Sequence, residues 1–229
     1  MATNSDARLS IARLIFIPGV ITLVITLLRL TGELQHWSTT LFNPAAGGGG
    51  AVVGITWLAP IFGIYFALRL TNAGERPRGT GRTIGLAVLG FVVWVAGGFV
   101  AFGTQHKTYS KLVLGLLIIA AAGAIQYWGW PKLFKVLLAY GYAARIPVAI
   151  LMFFAIRGNW GTHYDVVAPG VPAMPFWTKW IVVGVFPQLI LWVAFTILTG
   201  SLFGVIAAAV VRRPKTAEGI ATPPTLAKT

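Results

Sequence analysis

The stretch "TIGLAVLGFVVWVAGGFVAFG", residues 83–103, carries no charged side chain. Wound as an α-helix at 1.5 Å per residue, it is about 31 Å long, the thickness of a bilayer's hydrocarbon core. A helix is also the form in which such a segment satisfies its own backbone donors and acceptors away from water. Five further apolar runs lie around it, at 9–30, 50–70, 111–129, 133–156 and 177–211. They explain why the 229 residues are 57% hydrophobic and only 10% charged, with a mean hydropathy of +0.80. Soluble chains carry about 25% charged residues, and a membrane β-barrel would instead alternate in segments of about 10 residues. The expected fold is an all-α integral membrane protein, a bundle of about six transmembrane helices. Residues 1–211 form its single domain, and the polar, Pro/Thr-rich segment 212–229 is expected to be a disordered tail.

Loop charge orients this bundle. With the N-terminus inside, one face receives Arg8, Arg13, Arg69, Arg76, Arg78, Arg82, Lys132, Lys135, Arg212, Arg213, Lys215 and Lys228. The other receives Arg29, Lys107, Lys111, Arg157 and Lys179. The positive-inside rule then predicts that both termini are cytoplasmic. It also accounts for the net charge of +13 without nucleic acid as a partner. The expected location is the cell membrane, the inner one in a Gram-negative bacterium, with the lipid bilayer as the surrounding partner. The first run is too long for a signal h-region and no A-x-A site follows it, so it reads as an uncleaved first helix. "GWPK" at 129–132 fits an interfacial turn, with Trp128 and Trp130 flanking Pro131. The 35-residue last run reads as one tilted helix kinked at Pro187, with "GSLFG" (200–204) as a second candidate break. The loop "NPAAGGGG" is expected to be flexible from its composition.

Two segments echo each other. "FIPGVITLVITLLRLTGELQHW" and "RIPVAILMFFAIRGNWGTHYD" each hold Ile-Pro, an Arg ten or eleven residues later, and then a His beside an aromatic. The runs that follow each hold a proline among aromatics, so two hairpins of like direction form a candidate parallel repeat.

Few residues offer chemistry. With no cysteine, the chain has no disulfide, cysteine zinc site, iron–sulfur cluster or thiol nucleophile. No acidic residue falls inside the six predicted spans, which argues against a proton- or sodium-coupled pump. A P-loop and a G-x-S-x-G elbow are both missing. Arg145 is the exception, an arginine inside the fifth span. Such a group costs about 2.5–3.5 kcal/mol at the bilayer centre and calls for a partner. Gln126, Gln188, Tyr140 and Tyr142, and carbonyls freed by Pro147, are candidates to share its donors, with a bound anion as the functional reading. The competing reading has the span starting later and Arg145 snorkelling to the interface. His36, His106 and His163 fall one in each predicted outer loop, with Glu33 and Asp165 beside two of them. Imidazole and carboxylate suit zinc, copper or iron, so these five residues are the candidate ligands of a divalent metal. Gly85, Gly90, Gly97, Gly98 and Gly103 suit close helix packing or self-association.

Residues 132–211 resemble part of the Yip-type multi-span membrane domain. The resemblance rests on "LFKVLLAYGYAARIPVAIL" and on the glycine-bearing "LILWVAFTILTGSLFGVIAAAV". It implies a helical membrane domain and no reaction, and six runs exceed that family's usual five. The leading functional reading is therefore a non-enzymatic membrane protein: a scaffold, an accessory subunit or a binder of a lipid-like or anionic ligand. Behind it stand a metal-dependent membrane enzyme or redox subunit with a three-histidine outer site, and an uncoupled channel or facilitator.

Overall fold

The computed structural model describes residues 10–103, 109–167 and 172–211. Among these, every regular element is helical: α1 (Ile11–Leu34), α2 (Leu58–Asn72), α3 (Thr80–Phe102), α4 (Tyr109–Trp128, ending in a 3₁₀ turn), α5 (Pro131–Gly158) and α6 (Phe176–Val210), with a short 3₁₀ turn at Ala46–Gly48. Five of them, all but α2, are long and apolar enough to cross a membrane.

The second predicted span is the one that differs. Residues 50–57 are not helical, and α2 itself has only 15 residues. At 1.5 Å per residue it is about 22 Å long, short of a bilayer core. Pro60 sits in its first turn and clashes with a helical carbonyl four residues back, so the helix has no room to extend toward the glycines at 47–50 and 54.

The helices are inside-out relative to those of a soluble protein. In α1 the buried stripe is Leu14, Pro18, Thr22, Thr26, Arg29 and Glu33, spaced three and four apart. Phe16, Ile17, Val20 and Val24 are exposed on the other side. Polar groups thus face protein and aliphatic groups face outward, as a lipid solvent requires. Exposed Trp37, Trp57, Trp160 and Trp177 ring the end where α1 and α5 finish and α6 begins, here the loop end. Tyr127 and Trp128 are exposed at the opposite end, the pairing of aromatic belts expected for a membrane protein. Trp130, by contrast, is only 2% exposed and belongs to the core, so only Trp128 of that pair faces outward.

Small residues set the helix contacts. α2 and α6 run side by side in the same direction: a Cβ on Gly63 would fall on the Gly200 backbone, and one on Gly204 would meet Gly63 and Ala67. α3 and α4 are antiparallel, with Gly97 facing Ile119 and the Gly115 carbonyl. Gly85 and Gly98 instead have open space over their Cα atoms. α6 continues unbroken through Gly200–Gly204, but it widens into π-helical turns over Trp180–Val185 and Pro187–Leu191, where Pro187 interrupts the regular ladder. The core, including Leu14, Phe66, Leu70, Leu133, Tyr140 and Ala208, joins the start of α1 and α5 to the end of α2 and α6. Both ends of the described chain therefore lie at the end of the bundle away from the loops. The tail 212–229 lies outside the described residues.

Gly63→Leu is expected to lower stability by about 1–3 kcal/mol, because the atom it would strike is backbone and cannot rotate away. Thermal unfolding in detergent checks this, with Gly85→Leu, over open space, as a near-neutral control.

Candidate functional site

Beneath the loop end lies a cavity of about 340 Å³. Its walls are Ile25, Thr26 and Arg29 of α1, Arg145 and Val148 of α5, and Gln188 and Trp192 of α6. The segment Gly47–Ala51 with Gly54–Thr56 and the pair His163–Tyr164 close it from above.

Arg145 forms its floor. It stands 14 residues after Pro131 and 13 before Gly158, about 20 Å from either end of α5, and is 5% exposed. Its side chain is enclosed by the bundle rather than exposed on its surface. Its Nη1 donates to Gln188 Oε1 at 3.2 Å, and its guanidinium lies 4.9 Å from the centre of the Trp192 ring. Nε finds no acceptor among the described residues. No carboxylate among them pairs with Arg145. Toward the opposite end, Tyr140 and Ala144 of α5 pack in the core with Phe62 and Phe66 of α2. Tyr140 is itself occupied: the Thr22 hydroxyl donates to the Pro18 carbonyl, so the Tyr140 hydroxyl donates to Thr22 Oγ1.

Of the other candidate ligand-binding residues, Gln188 is at the site and two are elsewhere. Tyr142 is 40% exposed and belongs to the outward stripe Tyr142, Ile146, Ile150, Phe154, spaced four apart. Gln126 is buried at the α3–α4 contact, where its amide donates to the Leu86 carbonyl at 2.8 Å. Residue type alone did not separate these three glutamine and tyrosine positions; the i, i+4 stripe through Tyr142 did carry that signal.

The roof is held by a charge cluster. Helix α1 extends past the predicted boundary at residue 30, so Glu33 lies in its last turn and is buried. Arg29 Nε donates to Glu33 Oε1 at 2.8 Å across one helical turn. His163 reaches the same carboxylate twice, through Nδ1 to Oε1 at 2.6 Å and through its backbone N–H to Oε2 at 2.9 Å. Arg29 Nη2 also donates to the carbonyls of Asn43 (3.2 Å) and Gly48 (3.0 Å). The glycine segment is thus tied down rather than loose. Composition registers the chain's own freedom but not the arginine that removes it. Gly48 itself has φ +68°, and a Cβ there would run into the His163 ring and Arg29, so this position requires glycine.

The loop carrying His163 is shaped by Asp165. Its carboxylate accepts from the N–H of Gly161 and of Thr162 and from the Thr162 hydroxyl. Asn159, in the left-handed conformation, ends α5 before it. The Tyr164 hydroxyl donates to the Thr26 carbonyl at 3.2 Å. Burial pushes the Tyr164 phenol well above its ordinary value and keeps it neutral. Burial also pushes the His163 imidazole below its ordinary value, against the opposing effect of the hydrogen bond it donates to Glu33.

Among the described residues no three His, Asp or Glu side chains are close enough to hold a metal. His106 lies outside the described residues. His36 is exposed in the turn after α1, with a positive φ of 52°. Glu33 is filled by Arg29 and His163, and Asp165 by its own loop, so neither carboxylate stands open for a cation. What the cluster does offer is a cavity with two arginines at its wall and one carboxylate, Glu33, behind it. No family model, curated protein or solved structure matches the chain.

The lowered His163 pKa fixes a pH dependence. The unfolded chain takes up the proton first, near pH 6.5, so stability is lost as pH falls below that value and toward the folded pKa. His163→Asn is expected to flatten this limb of the stability–pH curve, measured by thermal unfolding between pH 8 and about pH 5.

Proposed function

We propose that the chain is a multi-pass membrane protein, with cytoplasmic termini, that binds an anionic, lipid-like ligand in the cavity between Arg145 and the glycine segment. The observation that carries this reading is Arg145 itself: a cation buried mid-helix, on a cavity wall, without a carboxylate partner among the described residues. An unpaired charge in such surroundings is costly, and an anion from outside the chain removes that cost. The volume of about 340 Å³ fits a headgroup or a small acid. Apolar Ile25, Ile55 and Val148 beside Arg145 and Gln188 give the mixed lining that an amphiphile meets. This is a binding role, as a carrier, an accessory subunit or a ligand-controlled scaffold. The aromatic core packing of Phe62, Phe66 and Tyr140 disfavours a channel, since a conducting path needs polar lining throughout.

Arg145→Gln gives a test with two opposite signs. In ligand-free protein in an uncharged detergent, the substitution is expected to raise stability by about 1–3 kcal/mol, because an unmatched buried charge is gone. With phosphatidylglycerol added, wild type is expected to gain about 2.7 kcal/mol at a hundredfold excess over Kd, while the variant gains nothing. Equal stabilisation of both proteins by the lipid contradicts the proposal.

A further inference from the structure

The charges around the cavity make a count that narrows the ligand further, resting on the anion site just proposed. Facing the cavity are Arg29, Arg145, His163 and Tyr164. Glu33 lies directly behind Arg29 and His163, hydrogen-bonded to both. Tyr164 is neutral, and the buried imidazole of His163 is held toward its neutral form, with Nδ1–H donating to Glu33. Asp165 does not line the cavity and is matched by its own loop's N–H groups. Arg29 is matched by Glu33 at 2.8 Å. One positive charge, that of Arg145, remains.

The form of that remaining cation matters as well as its amount. Nη1 is committed to Gln188, and one face of the guanidinium is covered by Trp192. The unmatched Nε is itself enclosed by protein. Arg145 lines the cavity, and the guanidinium atoms that reach it offer N–H donors to an oxyanion.

We infer that the cavity selects a monoanion, such as a carboxylate or a phosphodiester, over a dianion such as a phosphate monoester or sulfate. A dianion would leave one negative charge unmatched at the depth of Arg145. In a low-dielectric site that penalty exceeds a tenfold difference in affinity. Glu33 is then a specificity-determining residue without touching the ligand, because it sets the net charge of the wall.

The test uses the full chain in uncharged detergent, near pH 8, with binding read by thermal shift. Two free ions, dimethyl phosphate (monoanion) and sulfate (dianion), are paired with two lipids, phosphatidylglycerol and doubly ionised phosphatidic acid. Within each pair wild type is expected to prefer the monoanion by about tenfold or more. Response to the free ions as well as the lipids identifies a site open to water-soluble acids; response to the lipids alone identifies a membrane-supplied ligand, and either supports the inference. Glu33→Gln keeps the shape while adding one net positive charge, and is expected to reverse the preference. Arg29→Gln leaves Arg145 cancelled by Glu33 and is expected to abolish binding. The double variant Arg29→Gln/Glu33→Gln restores the original count and is expected to recover the monoanion preference, even where a single variant is too unstable to assay. Equal or tighter binding of the dianions by wild type overturns the inference while leaving the anion site standing. Failure of all four probes with wild type overturns the anion site and the inference together.

Discussion

A guanidinium about 20 Å from either end of its helix, buried within the bundle, has to be matched by something. Arg145 is the constraint around which this bundle is organised. Three of its neighbours answer it in part: Gln188 with one acceptor, Trp192 with a π-face, and the cavity with space for an anion. None supplies a negative charge. The π-helical turns of α6 lie at the same level, and Gln188, next to Pro187, reaches the site from one of them. Wide turns of this kind are frequent where a helix serves a function rather than only packing.

The second organising contact is the sharing of Glu33 by Arg29 and His163. It links α1 to a loop 130 residues away, and through Arg29 Nη2 it fixes the glycine segment that roofs the cavity. The roof and the floor of the cavity are therefore set by two arginines in opposite situations. Arg29 is neutralised within its own helix, and Arg145 is left unmatched. The same contact joins the two echoing stretches of sequence. α1 and α5 lie side by side in the same direction, from Thr22–Tyr140 up to Glu33–His163, as α2 and α6 do through Gly63 and Gly200.

Much of this was legible in the sequence, for physical reasons that differ by residue. Five apolar runs became long helices because length and hydropathy are sufficient signals for a lipid environment. The run at 50–70 was not, because Pro60 and the preceding glycines override hydropathy, and irregular backbone is tolerated where it lines a cavity. Arg145 and Gln188 were visible as polar residues in apolar runs, and the structure brings them together. Gln126 met the same description, but it satisfies the Leu86 carbonyl between α3 and α4. Glu33 and His163 were recognisable as chemistry and not as a pair. Their meeting depends on where the α1 helix ends and on the turn that Asp165 imposes, which no local spacing encodes.

On the proposed reading, an anion from outside the chain completes the charge of Arg145. Native mass spectrometry of the chain released from its membrane in uncharged detergent addresses it directly. A singly occupied adduct is expected, with the mass of an acidic amphiphile or small acid, present in wild type and missing from Arg145→Gln. A bare chain mass for wild type, or the same adduct retained by Arg145→Gln, would contradict it.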